Sequence, residues 1–137
     1  MSRMALLPDD HSRPIGKYSP GICIQVSQST RLVFVSGQVA TDAGGQVLAP
    51  GDPGAQAGIV FERIAAVLEV AGGTLANVVN LCIYLRDIRQ FDEVSVVRNR
   101  VLGEPAPAST LVEVSKLAEP GCLVEISAIA VVERSTE

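Results

Sequence analysis

The chain has 137 residues and a formal net charge of -4, is 47% hydrophobic, and holds three Phe, two Tyr and no Trp. That length predicts one compact domain over residues 1–137, with a core built from Val, Ile, Leu and Ala rather than from aromatics. Two Lys and nine scattered Arg form no basic cluster, which speaks against a nucleic-acid partner, and no stretch approaches the ~20 apolar residues of a spanning helix. No membrane association is expected. The apolar part of Met1 to Asp10 is too short for a signal peptide, so the default location is cytoplasmic.

Taken in chain order, Met1 to Asp10 reads as a loose arm that leads to the single histidine, His11. Ile22-Cys23-Ile24-Gln25-Val26 and Leu32-Val33-Phe34-Val35 are β-branched runs around the polar stretch 27–31, which predicts a hairpin. A third short strand is expected at Gln46-Val47-Leu48, after the turn signal Asp42-Ala43-Gly44-Gly45. Asp52-Pro53 supplies an N-cap and a proline at the first helical position, and Gly72-Gly73 stops the segment. On the helix between them Ala57, Phe61, Ile64, Leu68 and Ala71 share one face, while Glu62, Arg63 and Glu69 point elsewhere.

Val78 to Leu85 is nearly continuous apolar sequence, which predicts a strand covered on both faces. Asp87 to Leu102 reads as a second helix with Phe91, Val94, Val97 and Val101 inward, ended by Gly103 and Pro105. Thr110 to Val114 and Leu123 to Val132 are the last strands, joined by the turn composition Ala118-Glu119-Pro120-Gly121, and 133–137 is a polar tail. Strands before and after two helices argue for an α+β (α/β-like) fold with a mixed sheet and the helices on one face. Cys23, Cys82 and Cys122 are an odd set without C-x-x-C spacing and sit in apolar runs, so packing roles are expected, with no metal site and no disulfide framework.

Five segments, in order, resemble the Rid or YjgF family of reactive imine/enamine deaminases, also described as endoribonuclease L-PSP-like. They are Ile15-Gly16-Lys17-Tyr18-Ser19-Pro20, Val35-Ser36-Gly37-Gln38, Val78 to Asp87, Pro107 to Val114 and Val124 to Ala130. The resemblance runs from about Arg13 to Val132. It implies a chorismate-mutase-like fold with a six-stranded mixed sheet and two helices on one face. It also implies a homotrimer, ligand clefts between neighbouring subunits, a small-molecule metabolite as ligand, and no cofactor.

Glu125 shares a strand face with Leu123, Ser127 and Ile129. A carboxylate on a mostly apolar face reads, from composition alone, as an acid satisfied by a backbone or Arg partner. The resemblance implies a catalytic role instead, in which the matching Glu activates the water that attacks an imine carbon. Tyr18, otherwise an ordinary rim aromatic, matches a Tyr that lines the family's cleft and bonds the ligand, and Ser36, Gly37 and Gln38 match its S-G-Q turn. The family's P-A-R-x-x-V-E-V motif carries an arginine that grips the substrate carboxylate, and counted from Val112-Glu113-Val114 that position is Ser109. An alternative register places Pro107 there. Neither recovers an arginine, since none occurs between Arg100 and Arg134. Leu111 replaces a frequent cysteine, and Ser95 an asparagine often found in the second helix.

With the resemblance, three functions are set against these residues. One is hydrolytic deamination of an imine or enamine other than the ordinary 2-imino acids, because a charge-assisted bond worth ~1.5 to 3 kcal/mol is absent. The alternative is a non-catalytic metabolite-binding trimer that kept the cleft and lost the chemistry. A third, a ribonuclease or translation inhibitor, is opposed by the acidity and by the lack of a basic aromatic stripe.

Overall fold

The computed structural model describes residues 2–11, 14 and 16–134. Ile15 at the head of the first motif, Arg13 at the start of the resemblance and the tail residues 135–137 lie outside the described residues. Six strands form one sheet: β1 (Arg3–Leu6), β2 (Gly21–Gln25), β3 (Thr30–Gln38), β4 (Val78–Leu85), β5 (Ala108–Glu113) and β6 (Val124–Glu133). Two helices, α1 (Pro53–Val70) and α2 (Phe91–Val101), complete the fold. The strand order is β1-β2-β3-β6-β4-β5, antiparallel except for the β4/β5 pair, which α2 connects as a crossover. The mixed six-stranded sheet implied by the resemblance is present.

The helix ends sit where the sequence places them. Asp52 accepts a hydrogen bond from the Ala55 amide at 3.0 Å, Pro53 opens the helix, and the Gly73 amide returns to the Leu68 carbonyl at 2.9 Å beyond its last turn. Ala57, Phe61, Ile64, Leu68 and Ala71 are all buried against Val33, Val35, Ile126, Ala128 and Ala130 of the sheet. Each large side chain of that layer contributes about 1.5–3 kcal/mol by leaving water.

Three expectations are corrected. The N-terminal arm is not loose, since Arg3 to Leu6 pairs with β2 and Leu6 is buried. Gln46 to Leu48 is not a sheet strand and makes only a single bridge, Thr41 with Val47, so β1 supplies the sixth strand. The second helix does not begin at Asp87. The Asp87 carboxylate accepts from the Arg89 amide at 2.9 Å and caps a separate 3-10 turn over Ile88–Gln90, which leaves Phe91 39% exposed rather than inward. Val94, Ser95 and Val97 face the core instead.

The two faces of β4 differ within one chain. Val78, Leu81, Ile83 and Leu85 are buried under the helices, whereas Val79 is exposed and Cys82 and Tyr84 are half-buried. Within one chain, therefore, β4 is covered on one face only. The opposite face of the sheet carries no helix and presents Ile22, Leu32, Phe34, Ile129 and Val131. No helix among the described residues is long and apolar enough to cross a membrane.

Candidate functional site

Glu125 lies on the open face of β6. Its strand neighbours Val124 and Ile126 are fully buried on the helix side, and its cross-strand partner is Tyr84 of β4. The carboxylate rests over Gly37, where β3 slips register between Val35 and Gln38. A Cβ at Gly37 would overlap the Glu125 Oε2 oxygen and stand 2.8 Å from its carboxyl carbon, so the glycine makes room for the acid. No described residue donates a hydrogen bond to this carboxylate. Desolvation by burial raises its pKa above the ordinary glutamate value.

The loop that carries Tyr18 is fastened to the same stretch of β3. The Ser36 hydroxyl donates to the Ser19 carbonyl at 2.6 Å, and the Ser36 amide donates to the Pro20 carbonyl at 2.9 Å. Gln38 is buried, donates from Nε2 to the Ser36 carbonyl at 3.1 Å, and meets His11 Nε2 through its Oε1 at 2.7 Å. His11, Tyr18, Gly37, Gln38 and Arg63 line one small hollow of about 50 Å3. Arg63, off the core face of α1 as expected, donates through its guanidinium to the Thr41 and Asp10 carbonyls. Tyr18 remains 54% exposed at the rim.

Cys122 is fully buried nearby, and its thiol pKa is pushed up by desolvation and then by the negative charges of Glu119 and Glu125. A raised thiol pKa keeps the sulfur protonated, in keeping with packing rather than nucleophilic attack. No group of three or more His, Cys, Asp or Glu side chains among the described residues is placed to hold a metal ion.

Ser109 and Leu111 lie elsewhere. In the parallel β4/β5 ladder Ser109 pairs with Leu81 and Leu111 with Ile83, both buried beneath the helices, so Ser109 and Leu111 sit on the helix side. Glu125 pairs with Tyr84 and sits on the open side. Within one chain the structure thus sets Glu125 against Gly37, groups Tyr18, Gly37 and Gln38 around one hollow with Ser36 fastening the Tyr18 loop, and leaves Ser109 and Leu111 on the far face. Ser109 borders a cavity of about 330 Å3 together with Arg98 and Asn99 of α2. Neither Arg98 nor the His11 contact was singled out from the sequence. Periodicity gives Arg98 no place among the inward residues of the second helix, and nothing local signals a partner 27 residues away from His11.

A half-buried carboxylate with a raised pKa, open to a rim tyrosine and a bare backbone turn, is suited to passing protons to and from a small ligand. A mixed six-stranded sheet in the order β1-β2-β3-β6-β4-β5 with two helices on one face defines the fold class. The endoribonuclease L-PSP family model matches residues 10–132, and the chain belongs to that family, which is the Rid/YjgF family. A RutC family protein of Pyrococcus abyssi is 35% identical over 130 residues, covering 95% of this chain and 98% of that protein. Among solved structures, RidA from an Antarctic Psychrobacter is 32% identical with a TM-score of 0.81, covering 94% of this chain and 99% of that one. The yeast protein YEO7 gives a TM-score of 0.84 at 28% identity, covering 97% and 100% respectively.

Proposed function

We propose that this protein hydrolyses a reactive imine or enamine metabolite to a carbonyl compound and ammonia, with Glu125 as the proton-transferring group. The observation that carries this reading is the Glu125 carboxylate itself, which is desolvated and lies against Gly37 without a hydrogen-bonding partner among the described residues. Its oxygens are not among the buried unpartnered atoms of the described residues, so water and ligand can reach them. In the reaction a water oxygen attacks the imine carbon while Glu125 takes one of its protons. Glu125 gives that proton to the imine nitrogen to form a carbinolamine, then carries the hydroxyl proton to the amine nitrogen as the C–N bond breaks, so that ammonia leaves the new carbonyl. Tyr18 at the rim hydrogen-bonds the ligand, and Ser36, Gly37 and Gln38 form its floor.

The substrate differs from the short 2-imino acids because Ser109 stands where the resemblance implies an arginine, and a serine hydroxyl cannot form a bidentate ion pair. The working unit is a homotrimer. Glu125 and Ser109 occupy opposite faces of one sheet, so one ligand can meet both only if they come from different chains. The uncovered apolar face supports the same reading, and light scattering measures the assembly directly.

Ammonia release from enzymatically generated imines tests the reaction. Turnover above the uncatalysed rate should appear in the wild type and fall ~100-fold or more in Glu125→Gln. Equal rates in the two proteins would remove Glu125 from the mechanism. The absence of Arg at position 109 favours a second reading, a metabolite-binding trimer without chemistry, and that reading prevails if ligands bind but no imine is hydrolysed faster than in buffer.

A further inference from the structure

We propose that the cavity beside Ser109 binds the carboxylate end of a short aliphatic acid, with the Arg98 guanidinium as its charge partner. Taken with the deaminase reading, on which this last step rests, it holds the anionic tail of the substrate.

The cavity, about 330 Å3, lies between the last turn of α2, the following loop and the first residues of β5. That volume is at the small end of the range for metabolite pockets. Arg98 donates from Nε to the Asn99 Oδ1 at 3.2 Å, and neither of its terminal nitrogens has a partner among the described residues. The one ion pair among the described residues is Arg89 with Asp87, so Arg98 is not neutralised. Asn99 keeps its Nδ2 free to donate, and the Ser109 hydroxyl adds a third polar group on the same wall. Leu102, Ala106 and Pro107 make the remaining wall apolar, which suits methylene groups.

Two lining features oppose an anion, and both make the guanidinium necessary. Glu104 borders the cavity but is exposed and forms no ion pair with Arg98. The C-terminal end of α2 also presents the negative pole of the helix dipole. Other cations are placed differently. Arg100 does not border this cavity, and Arg31 is committed to the Ala71 carbonyl at 3.1 Å, at the end of α1.

Pentanoate and its uncharged isostere pentanamide are the probes, titrated by calorimetry and by amide shifts of isotope-labelled full-length protein. Pentanoate should bind more tightly than pentanamide and shift the amides of Leu102, Gly103 and Ser109. Arg98→Gln should weaken pentanoate about tenfold or more and leave pentanamide unchanged, while Arg98→Lys should retain part of the preference. The comparison of the two probes on wild-type protein needs no variant, so a folding defect in Arg98→Gln does not shelter the idea. Equal binding of the two probes, an unaffected Arg98→Gln, or no pentanoate-induced shift at those amides overturns it. Failure here is separable from failure of the deaminase reading. Pentanoate binding at Arg98 without any imine hydrolysis leaves this site standing and removes the chemistry, and the reverse result removes this site alone.

Discussion

Replacing Gly37 by Ala probes whether the glycine serves the backbone or the acid. Gly37 has no positive φ, so an alanine suits its conformation, and the loss of unfolded-state freedom should stabilise by about 0.4–1 kcal/mol. Against this, the new Cβ would overlap the Glu125 carboxylate, at 2.8 Å from its carboxyl carbon and 3.0 Å from Cγ, and such crowding costs about 1–3 kcal/mol. The variant should therefore fold, with a net loss below about 3 kcal/mol, because the half-buried Glu125 can swing outward. Activity should suffer far more. A displacement near 1 Å of a group that must meet water and substrate costs roughly 100-fold in rate. Ammonia release from a generated imine, measured for Gly37→Ala, Glu125→Gln and the double variant, completes a cycle. If Gly37 acts only through Glu125, the double variant is no slower than Glu125→Gln alone. Full activity in Gly37→Ala, or a further tenfold loss in the double variant, would refute the argument that the glycine exists to seat the acid.

Two further outcomes follow from burial. Because desolvation raises the folded-state pKa of Glu125 above its unfolded value, its ionisation disfavours folding. The penalty is absent where the group is protonated in both states and complete once the pH exceeds the folded pKa. Stability should therefore fall as pH rises from the ordinary glutamate range, and Glu125→Gln should flatten that fall in urea unfolding between about pH 4 and pH 8; identical pH profiles would contradict the desolvated placement. Gln56 is fully buried on α1, donates to the Ala49 and Gly121 carbonyls at 3.3 and 3.1 Å, and accepts from the Leu123 amide at 2.8 Å. Gln56→Leu should cost about 2–5 kcal/mol in urea unfolding by orphaning those groups, and a loss under about 1 kcal/mol would show that water replaces the amide.

Much of the fold was legible because its signals are local. Asp52-Pro53 and Gly72-Gly73 bracket α1, and the spacing of Phe61, Ile64 and Leu68 names its buried face, since capping and periodicity depend on neighbours a turn away. β1 escaped because Arg-Met-Ala-Leu is four residues with no alternation, and it exists as an edge strand held by backbone bonds to β2. Gln46 to Leu48 misled in the opposite sense, with strand-like composition but no neighbouring edge beyond Thr41. Phe91 is left exposed because it opens α2 directly after the 3-10 turn that Asp87 caps, while Val94 and Val97 keep the inward phase expected of them. Ser95 and Gln90 keep buried side-chain oxygens without a hydrogen-bonding partner, and we have no physical account of either.

Motifs name candidate site residues but not their relative geometry. Strand parity orders Glu125 relative to Val124, and Ser109 relative to Thr110, but it cannot relate one strand to another until the register is known. That register puts Glu125 beside Tyr84 and Ser109 beside Leu81, three residues apart along β4 and on opposite faces. A sheet is one layer thick, and no side-chain rotation carries a group through it. Chemistry at Glu125 and recognition at Ser109 and Arg98 can thus act on one molecule only where the open face of one chain meets the helix side of another. The apolar surface left on the open face gives such a meeting its driving force. On this argument assembly is a requirement of the site, and a monomer could hold either half of a ligand but not both.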